Sequence, residues 1–181
     1  MDVPGIVQAI HDSGLGNFMR TQVKAMPVVE AIHVLSGSIV FGTILIVDLR
    51  LLGFPDTRRP FTRVADELLK LTWLAFFVSV LTGAMMFTAN AITYYGNTAF
   101  RLKMLALLAA GINMAIFHRV TLKSVARWNI TSVPFAGRLA GGASILIWIA
   151  VIFLARWIGF TKGYDFSIPD NVHIDFTFPG K

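Results

Sequence analysis

Four long apolar runs dominate the chain, extending from about Val28 to Phe54, Leu68 to Ile92, Leu102 to Leu122 and Leu139 to Phe160. Each is close to the ~20 residues a helix needs to cross the hydrocarbon layer at 1.5 Å per residue. Turn-forming residues separate them: Pro55 and Pro60, then Gly96 and Asn97, then Pro134 and Gly137. The pattern predicts an all-α integral membrane protein, a bundle of four transmembrane helices over residues 26–162. Residues 1–25, with Ile6, Val7, Ile10, Phe18 and Val23 among polar neighbours, predict a short helix lying at the membrane interface. Residues 163–181 alternate apolar and polar (Val172, Ile174, Phe176, Phe178), an extended pattern suited to docking on an extracytoplasmic partner.

Composition sharpens this picture. The 181 residues are 55% hydrophobic and 14% charged, against about 25% charged in a soluble domain. The net charge of +6 does not point to nucleic acid, because Lys and Arg cluster at the ends of apolar runs instead of forming a basic stripe on a soluble domain. Their distribution predicts orientation: Arg50, Arg58, Arg59 and Arg63 surround the first loop, and Arg119, Lys123, Arg127 and Arg138 the third. The positive-inside rule places those loops in the cytoplasm and both termini outside. Tyr94, Tyr95, Trp157 and Phe160 then form an outer aromatic belt and Trp128 marks the inner one. The first 25 residues lack a basic start followed by an apolar stretch, so the first span is expected to direct insertion. Cysteine is absent, which excludes disulfides, Cys-ligated zinc, iron–sulfur clusters and thiol catalysis.

Ionisable residues within spans are costly and therefore informative. On the first span, Glu30, His33, Gly37, Phe41, Ile44 and Asp48 share a helical face; on the third, Lys103, Met104, Leu107, Gly111, Met114 and His118 do. Two polar layers follow. The outer layer draws on Glu30, His33, Asn90, Arg101, Lys103 and Arg156, and the inner on Asp48, Arg50, Asp66, Glu67, Lys70 and His118. Interfacial ion pairs and snorkelling side chains account for such layers without chemistry. Glu30 and His33 are expected to face the bundle interior near Lys103 or Arg156.

Histidine in a membrane bundle raises haem b. His33 and His118 differ by about 15 residues of depth, or ~22 Å of helix rise, so they cannot be axial partners within one chain. Methionines lie near the level of His33, at Met85, Met86 and Met104. Imidazole with thioether suits haem iron, and the same pair suits copper(I). The candidate cofactor residues are therefore His33, Met86, Met104 and His118, with His33 the candidate metal ligand, although methionine is also an ordinary gap-filler between helices. Gly137 and Gly141 form a GxxxG on the fourth span, which permits close helix contact within the chain or between chains. No phosphate-binding loop, dinucleotide fingerprint, HExxH or nucleophile elbow is present.

The segments MPVVEAIHVLSGSIVFGTILIVDLRLLG (26–53), NTAFRLKMLALLAAGINMAIFH (97–118) and GRLAGGASILIWIAVIFLARWIGF (137–160) resemble an uncharacterised bacterial family of four-helix membrane proteins, a domain of unknown function. The resemblance covers about residues 20–160 and rests on P-x-x-E-x-x-H in the first span, D-L-R-L-L-G at its end and F-R-L-K-M before the third. It implies a bacterial inner-membrane location and singles out Glu30, His33, Asp48, Arg50, Arg101, Lys103, Met104, His118 and Arg156, but supplies no activity. The expectation is a non-catalytic membrane subunit of a larger assembly, homo-oligomeric or with other subunits, with haem b or a metal in the outer layer for electron transfer. A small transporter or copper-handling protein and a cofactor-free structural subunit are the alternatives.

Overall fold

The computed structural model describes residues 3–54, 61–121, 123 and 133–161, with the main chain alone at 64–67, 120 and 121. The tail over 163–181 and its expected docking, the loop cations Arg58, Arg59 and Arg127, and Trp128 lie outside the described residues. Two short helices, α1 (Gly5–His11) and α2 (Gly14–Thr21), precede the first long one, α3 (Ala25–Leu52). Helix α4 (Phe61–Ala89) runs back, and a short α5 (Ala91–Gly96) leads into α6 (Thr98–Ile116), which widens into a π-helical turn over Phe117–Thr121. The final helix, α7, covers Phe135–Thr161. The four long helices are apolar and long enough to cross a membrane, and the chain is a multi-pass membrane protein in contact with the lipid bilayer.

Local signals set the boundaries. Gly53 ends α3 in the left-handed region at φ 97°, with its N–H and that of Phe54 donating to Arg50 O and Leu49 O; glycine adopts this conformation without the Cβ penalty. The expected interfacial segment is two helices, split at Asp12 and Ser13, where the Ser13 hydroxyl accepts from the N–H of Gly16 and caps α2. Asn97 caps α6 by accepting from Phe100 N at 3.0 Å, and its amide donates to Thr161 Oγ1 at 3.0 Å. One buried side chain thus starts α6 and fastens the end of α7.

Among the described residues, the extensive packings are α3 on α4, α6 on α7 and α3 on α7, giving the order α4–α3–α7–α6 across the bundle. The α4 and α6 ends are joined by aromatic rings: Phe87, Tyr94 and Phe100 stack with centroids 5.1–6.3 Å apart. Two of the three neighbouring pairs in the row also carry a polar link. Thr72 donates to Thr43 at 2.8 Å (α4 to α3), and Asn113 donates to Ala140 O at 3.0 Å (α6 to α7). At Gly141 a Cβ would lie 3.0 Å from both Asp48 O and Leu51 Cβ, so the GxxxG glycine serves a contact inside the chain, α7 against α3.

The packed face of α6 is rotated from the expected one, and that of α3 only in part. On α3 the buried residues are Val29, Ser36, Val40, Thr43, Asp48, Arg50 and Leu51; Glu30 of the expected face is exposed, and His33, Gly37, Phe41 and Ile44 are half-buried. On α6 the less exposed positions are Lys103, Leu107, Ala110, Asn113 and Phe117, while Met104, Gly111, Met114 and His118 face outward. The Asn113–Ala140 bond fixes that rotation of α6, because turning the helix would strand an amide in hydrocarbon.

Candidate polar layers of the bundle

Helix α2 lies across the end of α4. Its Gly16 sits so close that a Cβ would be 2.6 Å from His11 O and 2.9 Å from Thr88 O. Arg20 donates to His11 O at 2.7 Å and reaches Ala89 O at 3.4 Å, satisfying a terminal carbonyl of α4 and placing a cation at the negative end of its dipole. Beneath this lid Met19, Val29 and Ala89 form a buried cluster, against which Met85 and Met86 pack. Met86 therefore belongs to the hydrophobic seat of α2.

One layer deeper, His33 projects from α3 onto α4. Its Nδ1 lies 2.9 Å from Ser79 O and 3.1 Å from Thr82 Oγ1. Its ring rests over Gly83, where a Cβ would be 3.0 Å from Cε1. Thr82 donates its hydroxyl proton to Val78 O at 2.7 Å, and Ser79 O is a carbonyl, so both groups accept from the ring. Nδ1 must carry the hydrogen. In the neutral imidazole Nε2 then holds a lone pair, and it has no hydrogen-bond partner among the described residues. A histidine fixed through one nitrogen by a backbone carbonyl, with the other free, is oriented as a ligand. Glu30 and Lys103 lie within electrostatic range of the ring.

The remaining candidates are dispersed. Met104 is 41% exposed. Arg156 is exposed, its guanidinium 5.0 Å from the Phe160 ring centroid, and Arg101 caps Tyr95 in the same way at 5.1 Å while donating to Tyr95 O. At the opposite end of the bundle, His118 is exposed on the π-helical turn with Nδ1 3.0 Å from Met114 O. Asp48 and Arg50 are buried there, at 5% and 3% exposure. Ser144 of α7 lies beside the Asp48 carboxyl. Among the described residues no group of three or more His, Asp or Glu is arranged to hold a metal ion.

The sequence reading missed the partners: Ser79, Thr82 and Gly83 around His33, Ser144 beside Asp48, and the Gly16–Arg20 clasp on α4. Depth counting carries the signal for the first group. His33 lies eight residues inside the start of α3, and Thr82 seven residues inside the end of the antiparallel α4, which puts them level.

Residues 13–161 match the family described as a family of unknown function (DUF6644), and the chain belongs to it. No curated protein matches the chain, and no solved structure does.

Proposed function

We propose that this member of the DUF6644 family is a non-catalytic inner-membrane subunit of a larger electron-transfer assembly, in which His33, through Nε2, would hold haem b. The observation that carries the reading is the seating of His33: its Nδ1 lies 2.9 Å from Ser79 O and 3.1 Å from Thr82 Oγ1, and Nε2 has no hydrogen-bond partner among the described residues. Haem suits a chain that gathers few ligands, because the porphyrin brings four of the iron's six and asks the protein for one or two. A bare metal ion would need three or four protein donors together. When bound, haem supplies reversible one-electron transfer. The chain's own residues would orient the imidazole (Ser79, Thr82, Gly83) and place a cation, Lys103, near the site.

The cation-rich loops support an orientation with residues 55–60 and 122–132 in the cytoplasm and the His33 layer towards the outside. Cysteines placed at Thr57 and Ser167 of intact cells would then label from opposite sides, and labelling of Thr57 from outside would overturn the orientation. Haem and metal analysis of the purified protein tests the ligand. Haem content near stoichiometric in wild type, lost in His33→Ala and retained in His118→Ala, is the expected result. Equal content in wild type and His33→Ala would remove His33 from the site.

A further inference from the structure

Four of the chain's seven methionines meet beneath α2. Met19 of α2 is 1% exposed and forms a buried cluster with Val29 of α3 and Ala89 of α4. Met26 of α3 and Met85 and Met86 of α4 pack against that cluster, each of them half-buried. Three helices thus bring thioethers to one place, and the other members, Ala25, Val29 and Ala89, are small or aliphatic. The two further methionines among the described residues, Met104 and Met114, are each 41% exposed and lie on α6, which has no part in the cluster.

Packing alone is a thin reason for this gathering. Methionine fills irregular gaps, but it loses more rotamer freedom on burial than leucine does, and a seat for α2 needs only apolar volume. What methionine adds is sulfur. A thioether is a soft, neutral donor, and copper(I) is the soft cation suited to it. Harder metals lack their usual ligands here, since the chain has no cysteine and the cluster holds no carboxylate or imidazole. A single positive charge is also the least costly to bring into so apolar a place. We propose that Met19, Met26, Met85 and Met86 form a copper(I) site under α2, separate from the haem ligand at His33. The three half-buried methionines give the ion its entry from the flank, and Met19 closes the site from above. A cation held there fastens α2 to α3 and α4, because its ligands come from all three helices.

Silver(I), which shares the preference for thioether sulfur and keeps its oxidation state, is the probe. The full chain in detergent, carrying Met104→Leu and Met114→Leu to remove the outward sulfurs, is titrated by calorimetry in chloride-free buffer. The proposal expects one silver ion per chain, retained when His33→Ala is added and lost when Met19, Met85 and Met86 are changed to leucine. Leucine conserves the volume of methionine, so the helix content of that variant should match the parent by circular dichroism. Absence of silver binding in the parent, unchanged binding in the leucine variant, or loss of binding with His33→Ala would each overturn the proposal. Should the leucine variant fail to fold, X-ray absorption of the selenomethionine-labelled parent loaded with copper(I) decides. A selenium shell around copper is expected, and a shell of nitrogen and oxygen alone would overturn the site.

Discussion

Gly83→Ala places one methyl group where the His33 ring lies, and its consequence can be worked from the geometry. The added Cβ would stand 3.0 Å from Cε1, whereas ordinary contact begins at 3.4 Å, so the ring must retreat by roughly 0.4 Å, the difference. Retreat lengthens the Nδ1 contacts, now 2.9 and 3.1 Å, to about 3.3 Å or beyond, outside the usual range for N–H···O bonds. Interhelical hydrogen bonds in membranes average about 0.6 kcal/mol and reach about 1.7. Weakening both contacts and straining the ring should therefore cost roughly 1–2 kcal/mol. The assay is reversible unfolding in mixed lipid–detergent micelles, run as a double-mutant cycle with His33→Ala. With the ring gone the three nearest contacts of the alanine are removed, so Gly83→Ala should be close to neutral in the His33→Ala background, and the coupling should equal most of the single-mutant cost. A coupling near zero, or equal losses in both backgrounds, would refute the claim that Gly83 exists to seat this imidazole.

Three further predictions concern the frame around the layers. Gly16→Ala drives a methyl into two carbonyl oxygens, His11 O and Thr88 O, and should lift α2 off α4; protease cleavage within residues 3–24 should accelerate, while wild-type rates would show that the clasp is dispensable. Asn97→Ala removes the α6 cap and the tie to Thr161, and should lower unfolding free energy by about 1–2 kcal/mol, the sum of a lost cap and one interhelical bond; a change below a few tenths would contradict it. Gly141→Leu wedges α7 from α3 at Asp48 O and Leu51, an overpacking expected to cost ~1–3 kcal/mol, read as a lower midpoint in the same unfolding assay; an unchanged midpoint would mean the crossing is looser than the contact distances imply.

The four spans were legible because apolar run length is set by bilayer thickness, and Pro55, Gly96, Asn97 and Pro134 mark the breaks between runs. Which face of each span packs was not. Lipid and helix neighbours are both apolar, so α3 and α6 carry hydrophobic residues all round and show no stripe to orient them. The expected face through Met104, Met114 and His118 therefore went outward, and the true face was set by one amide, Asn113. His33 stood out as an ionisable residue in a span, but its partners did not. Ser and Thr in membrane helices ordinarily bond back to their own backbone, as Thr82 also does to Val78 O, so nothing in their identity reveals a second role. Asp48 and Arg50 were conspicuous for the same reason as His33, whereas Ser144 was hidden among the small residues of the fourth span.

The most direct measurement for the central claim is the dithionite-reduced minus oxidised absorption spectrum of the full-length protein, purified in lipid from cells supplied with a haem precursor. An imidazole held with Nε2 free predicts a Soret band and resolved visible bands of a b-type haem in wild type. The bands should broaden or shift in Thr82→Val, where the ring loses one anchor, and be absent in His33→Ala. A wild-type spectrum without haem bands, from protein that is folded and haem-supplied, would contradict the account and leave His33 as a clasp between α3 and α4.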